Sequence, residues 1–91
     1  MDKNLEHVLE ELINTPGVYG CVLADEHGLC LGNKGETSTT TAGIIGAIAE
    51  ESLKLEPNSK PPIIHFENDN RSCTIQRIGT ITGAIFKNLQ N

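Results

Sequence analysis

Two short runs, VYGCVLA at 18–24 and TITGAIFK at 80–87, set the tightest limit on what this chain can fold into. Both are of strand length and apolar on both faces. Val18, Val22 and Ala24 alternate with Tyr19, Cys21 and Leu23; Ile81 and Ile85 alternate with Ala84 and Phe86. Successive side chains of a strand point to opposite faces, so such runs belong inside a sheet covered on both sides. The remaining candidate strands differ. LCLGN at 29–33 is short and ends in polar residues, and PIIHFE at 62–67 follows a proline, which suits an edge. SCTIQR at 72–77 sets Cys73 and Ile75 against Thr74 and Gln76.

Helices account for the rest. Leu5, Val8, Leu9, Leu12 and Ile13 within 4–13 form one apolar stripe, with Asp2 or Asn4 to cap it and Thr15-Pro16-Gly17 to stop it. Residues 38–55 form a second helix, entered at Ser38 and ended by Glu56-Pro57-Asn58. Short turns at 25–28, at 68–71 and at Gly79 make strands 1 and 2 a hairpin and strands 3 to 5 a meander. Joining the two interior strands then gives an α+β domain. Its element order is α-β-β-α-β-β-β, with an antiparallel five-stranded sheet of order 2-1-5-4-3 and no C-terminal helix. At 91 residues the chain is expected to be one small domain, 1–91, with a thin core.

The stretch DEHGLCLGNKG at 25–35 holds most of the residue types that could carry chemistry. It is no phosphate loop: Gly28 and Gly32 are too close, Asn33 separates Gly32 from Lys34, and Gly35 stands where Ser or Thr is needed. His27 and Cys30 have no second pair at ligand spacing, so no metal site is expected. Cys21, Cys30 and Cys73 lie in apolar strand positions, where burial opposes thiolate formation. The simplest reading is a hairpin tip: Asp25 bonds the backbone ahead of it, Gly28 takes a positive φ, and Asn33 to Gly35 leave towards the second helix. No catalytic constellation and no cofactor site remain elsewhere.

The second helix is unusual. On a helical wheel Ile44, Ile45, Ile48, Ser52 and Leu55 share a face that should pack on the sheet. The other side holds Ala42, Gly43, Gly46, Ala49, Glu50 and Leu53, although glycines weaken a helix by about 1 kcal/mol each relative to alanine. Small residues there suit the close approach of another backbone, and a partner helix is expected to cross this face. The neighbouring edge strand, with Ile63, Ile64, His65, Phe66 and Glu67, is then free for intermolecular pairing.

A formal net charge of −5, with scattered basic residues, disfavours nucleic acid and membrane surfaces. No run nears the roughly 20 apolar residues of a membrane span, and the acidic N-terminus lacks signal-peptide features, so direct membrane insertion is not expected. The odd, scattered cysteines read as reduced thiols in a cytosolic setting.

The same features in register resemble the roadblock/LC7 family and, within it, the roadblock-type subunits of the Ragulator (LAMTOR) complex. The residues carrying the resemblance are Pro16, Val18 to Gly20, Asp25, Gly28-Leu29, Leu31-Gly32, Gly35, Ser38, Ala42-Gly43, Ile45 and Ala49. It continues through Lys54-Leu55, Glu67, Asp69-Asn70, Ile75-Gln76, Ile81-Thr82 and Ala84. Departures lie at 56–61 and in Arg77-Ile78-Gly79. The resemblance implies the roadblock/LC7 (profilin-like) fold and a non-catalytic scaffold subunit that forms a heterodimer with another roadblock-type subunit. It also implies a larger assembly held at the cytosolic face of lysosomes or late endosomes by a lipidated subunit. That assembly would recruit Rag GTPases and support amino-acid signalling to the TOR complex. Two alternatives stay open: a homodimeric roadblock domain acting on a small GTPase or dynein, and a small thiol enzyme.

Overall fold

The computed structural model describes residues 3–55, 57–58 and 60–89. Helix α1 spans Lys3–Ile13 and α2 spans Thr39–Leu53; the strands are β1 Val18–Ala24, β2 Cys30–Gly35, β3 Ile63–Glu67, β4 Arg71–Ile78 and β5 Ile81–Asn88. The sheet is antiparallel throughout, in the order β2-β1-β5-β4-β3. The order is the one expected from two-faced apolar strands lying inside. The helices cover opposite faces. Under α2 lie Val22, Ala24, Ile75 and Ala84, joined by Ala42, Ile45 and Ala49 of the helix. Under α1, Leu9 packs on Cys21 and Leu23, flanked by Leu5, Leu12 and Ile13. Thus β1 divides its side chains between two separate apolar clusters, which is why it tolerates no polar face.

Local chemistry sets most boundaries. Asn14-Thr15-Pro16 closes α1, with Asn14 N–H donating to Glu10 and the Thr15 hydroxyl to the Glu11 carbonyl. Asn4 lies inside the first turn of α1, and the other candidate cap, Asp2, lies outside the described residues. Ser38 is the N-cap of α2 with extended backbone, but its hydroxyl meets Thr41 Oγ1 rather than a backbone N–H. Lys54 caps the other end; Glu56, the expected terminator, lies outside the described residues. Asn68 Oδ1 accepts from the N–H groups of Asn70 and Arg71, building the β3–β4 turn.

Two readings of the strands are corrected. β2 runs on to Gly35, so Asn33, Lys34 and Gly35 pair with Val22, Cys21 and Gly20 and do not form an exit loop. A register shift between Val18 and Gly20, where β1 meets β5, breaks the alternation. Tyr19 therefore lies 6.1 Å from Phe86 on the α2 side instead of joining Cys21 and Leu23.

Candidate partner interface

The 25–35 stretch forms the β1–β2 turn and strand β2. Asp25 Oδ1 accepts from the N–H of His27 at 2.8 Å and of Leu29 at 2.9 Å, and Gly28 sits at φ +81°. The Leu29 amide, with other donors of the turn, holds the Asp25 carboxyl below its usual value. Lys34 Nζ reaches across to α1, 2.7 Å from Glu6 and 3.0 Å from Glu10. These hydrogen bonds raise its pKa to about 12 and tie the N-terminal helix to the edge strand β2. Burial pushes the Cys21 and Cys73 thiols up, away from nucleophilic thiolate. Among the described residues no group of three acids, histidines or cysteines could hold a metal.

Helix α2 is rotated relative to the wheel reading. Ala42 and Ala49, expected to face a partner, are 0 % and 3 % exposed and pack on the sheet with Ile45. Ile44, expected inside, is 57 % exposed, and Leu55 is exposed too. Small side chains let the helix lie close to the sheet, and the apolar periphery of α2 does not distinguish a core face from an outer one. The two glycines do mark close approach, but to the chain's own backbone. A Cβ on Gly46 would lie 3.2 Å from Gly28 Cα, and Gly43 faces the Gly28 carbonyl. The β1–β2 hairpin tip therefore folds over the flank of α2 reserved by sequence reasoning for a partner. Glu50 is also engaged within the chain: Arg77 Nη1 donates to Glu50 Oε2 at 2.6 Å and holds that carboxyl below its usual range. No local pattern links these two residues, 27 positions apart.

The exposed side of α2 carries Gly43, Ile44, Ala47, Glu50 and Glu51. At 100° per residue, Ile44 lies roughly opposite Gly46. It thus points away from the β1–β2 hairpin. Among the described residues β3 pairs with β4 alone, leaving its outer edge open. Ile64 and Phe66 of β3 lie on the α2 face of the sheet, opposite Ile75 and Cys73. Phe66 is half exposed beside a hollow of about 300 Å³ walled by Tyr19, Phe86 and Arg71, whose guanidinium stacks 4.6 Å above the Tyr19 ring. On the other face of β3, His65 bonds Thr74 and Glu67, at 2.9 Å and 3.0 Å. Leu53 is half-buried, and Ile63 and Glu67 are exposed.

A second apolar surface lies on the α1 side. α1 covers β1 and β2, leaving a groove of about 240 Å³ over β5 and β4, bounded by Val8, Leu12, Ile78, Ile81 and Ile85. Val8 and Ile78 are exposed there.

Residues 1–87 match the sequence model of the family described as Ragulator complex protein LAMTOR5. The chain belongs to the LAMTOR5 family. A Ragulator complex protein LAMTOR5 homolog from Nematostella vectensis is 34 % identical over 88 residues, covering 96 % of this chain and 97 % of that protein. Among solved structures, Myxococcus xanthus MglB superposes with a TM-score of 0.80 at 16 % identity, over 93 % of this chain and 76 % of its own. A roadblock/LC7 domain from Streptomyces avermitilis gives 0.76 at 13 % identity, over 90 % and 76 %. At such low identity the structural matches establish a shared roadblock/LC7 fold. As expected, β5 is the last regular element among the described residues of this LAMTOR5-family chain.

Proposed function

We propose that this LAMTOR5-family chain is a non-catalytic scaffold subunit of a Ragulator-type complex. In this reading it pairs with another roadblock-type subunit through the β3 edge and the adjoining side of α2. One observation carries it: a strand edge, Ile63–Glu67, left unpaired among the described residues, on a sheet face where Phe66 and, on α2, Ile44 are exposed apolar side chains. Open edges invite pairing, and exposed apolar side chains beside them are what a partner helix covers. The contact set is Ile63, Ile64, His65, Phe66 and Glu67 with Gly43, Ile44, Ala47 and the outer parts of Glu50 and Leu53. Ala42, Gly46 and Ala49 drop out, being occupied by the sheet and the hairpin. The groove beside α1 leaves a second face for further subunits, among them the lipidated anchor. No helix among the described residues is long and apolar enough to cross a membrane. Attachment to the cytosolic face of lysosomes, recruitment of Rag GTPases and support of TOR signalling then belong to the assembly.

Native mass spectrometry of the chain alone, and then with a roadblock-type Ragulator subunit, tests this reading. The expected result is a one-to-one heterodimer that Phe66→Asp and Ile44→Asp abolish while leaving the far-ultraviolet circular dichroism of the lone chain unchanged. A stable homodimer that excludes the second subunit would favour the homodimeric alternative; heterodimerisation untouched by both substitutions would move the interface elsewhere.

A further inference from the structure

Three residues form a row across the α2 face of the sheet: Ala24 of β1, Thr82 of β5 and Arg77 of β4, each directly opposite the next in the register. Thr82 is 1 % exposed, and the Arg77 side chain 10 %. One end of the guanidinium reaches Glu50 on α2. Two atoms are left over. Arg77 Nε and Thr82 Oγ1 are both shut off from solvent and have no hydrogen-bond partner among the described residues. Buried polar groups in folded proteins are almost always paired, through ordered water where protein atoms do not reach. The chemistry of the two orphans is complementary: Nε–H only donates, whereas a threonine hydroxyl both donates and accepts. Arg77 and Thr82 are directly opposite in the register, where side chains start about 5 Å apart, so both orphans belong to one cross-strand pair.

We infer that one water molecule binds between Arg77 Nε and Thr82 Oγ1, completing a polar chain Thr82–water–Arg77–Glu50 that pins the C-terminal half of α2 to β4 and β5. The water accepts from Nε–H and donates to the hydroxyl oxygen, so both orphans are satisfied. The Arg77 plane is then fixed from behind, which aims Nη1 at Glu50. Elsewhere α2 rests on the sheet through the apolar side chains of Ala42, Ile45, Ile48 and Ala49, which make no directional bond. The chain supplies a directional hold on the helix, and it stands whether or not α2 meets a partner.

The test uses the full chain labelled with ¹⁵N, as wild type, Thr82→Ser and Thr82→Val. Thr82→Ser keeps the hydroxyl; Thr82→Val keeps the shape and removes it. Wild type and Thr82→Ser should show a long-lived water cross-peak to Arg77 Nε–H. Thr82→Val should lose it, and its Glu50 carboxyl should titrate closer to the ordinary glutamate value. If Thr82→Val does not fold, the wild-type and serine spectra decide alone. The inference is overturned if wild-type Nε–H is protected from exchange with no water contact, the sign of a direct bond to Thr82. It is equally overturned if the water contact persists unchanged in Thr82→Val.

Discussion

Gly43 and Gly46 lie one turn apart on α2, and the structure gives them opposite sensitivities. A Cβ at Gly43 would find only the Gly28 carbonyl oxygen at 3.9 Å, an ordinary contact. Gly43→Ala should therefore keep most of the roughly 1 kcal/mol by which alanine outranks glycine in a helix. A Cβ at Gly46 would sit 3.2 Å from Gly28 Cα and 3.8 Å from Gly28 N, against backbone that Asp25 holds in a tight turn. For alanine, the propensity gain and the few tenths of an ångström that the hairpin must yield nearly cancel. Leucine puts further carbons against the hairpin, and overpacking of this kind costs about 1–3 kcal/mol. Even after the propensity gain, Gly46→Leu should be destabilised by up to about 2 kcal/mol. Urea unfolding of the isolated chain, followed by circular dichroism, reads the difference. With a slope of about 1 kcal/mol per molar for a small domain, Gly43→Ala should raise the midpoint by up to about 1 M and Gly46→Leu should lower it. If Gly46→Leu is as stable alone as Gly43→Ala, the hairpin does not fill that flank. The glycines would then have been kept for a partner helix.

Other perturbations check separate parts of the fold. Gly28→Ala forces a side chain into the left-handed region at φ +81° and should cost about 1–2 kcal/mol in the same unfolding assay. Lys34, raised to about 12, contributes stability that is complete below the ordinary lysine pKa and is lost as pH climbs through the folded value; Lys34→Met should erase that alkaline component of the pH–stability curve. Asp25 and Glu50, both lowered, contribute above their unfolded pKa values and lose that contribution as pH falls through the folded ones, so ¹³C carboxyl titration should place both midpoints below free-peptide values. Cys21, wholly enclosed between β1 and α1, should react with a thiol reagent only at the rate of unfolding, and rapid modification in the native state would contradict its burial.

Strand order was legible because it rests on a yes-or-no property. VYGCVLA and ITGAIFK have no polar face to offer water, so both must be interior, and short turns leave few other ways to join the remaining strands. The hairpin tip was legible for a similar reason: Asp25 and Gly28 have few other uses at that spacing. The orientation of α2 was not, since Ala42 and Ala49 compete with Ile44 and Ile48 for the core and a wheel favours bulk over fit. The burial of the alanines is decided by the sheet below, where Val22 and Ile75 already supply the volume. Nor did the sequence mark the clamp of Lys34 on Glu6 and Glu10, or the Arg77–Glu50 pair. Both join elements far apart along the chain, and no periodicity reports them. The departure at Arg77 from the family pattern was the only available hint that something particular happens there.

The feature that hid the orientation of α2 is itself informative about what the helix is for. A helix with one buried face normally shows water a polar one, and its wheel then reads without ambiguity. α2 is apolar inside, through Ala42, Ile45 and Ala49, and still presents Gly43, Ile44 and Ala47 outward. A solitary chain gains nothing from an isoleucine in solvent at that position, nor from a half-exposed Phe66 on a strand whose outer edge is unpaired among the described residues. In the proposed pairing the same residues would become core, and a partner present at 100 times its Kd would add about 2.7 kcal/mol to the stability of the fold. For a chain of 91 residues, whose own apolar core is split into two thin layers by a single sheet, that increment is a large fraction of what holds it together. An α2 readable as having two inner faces is what a subunit that completes its core by association should contain.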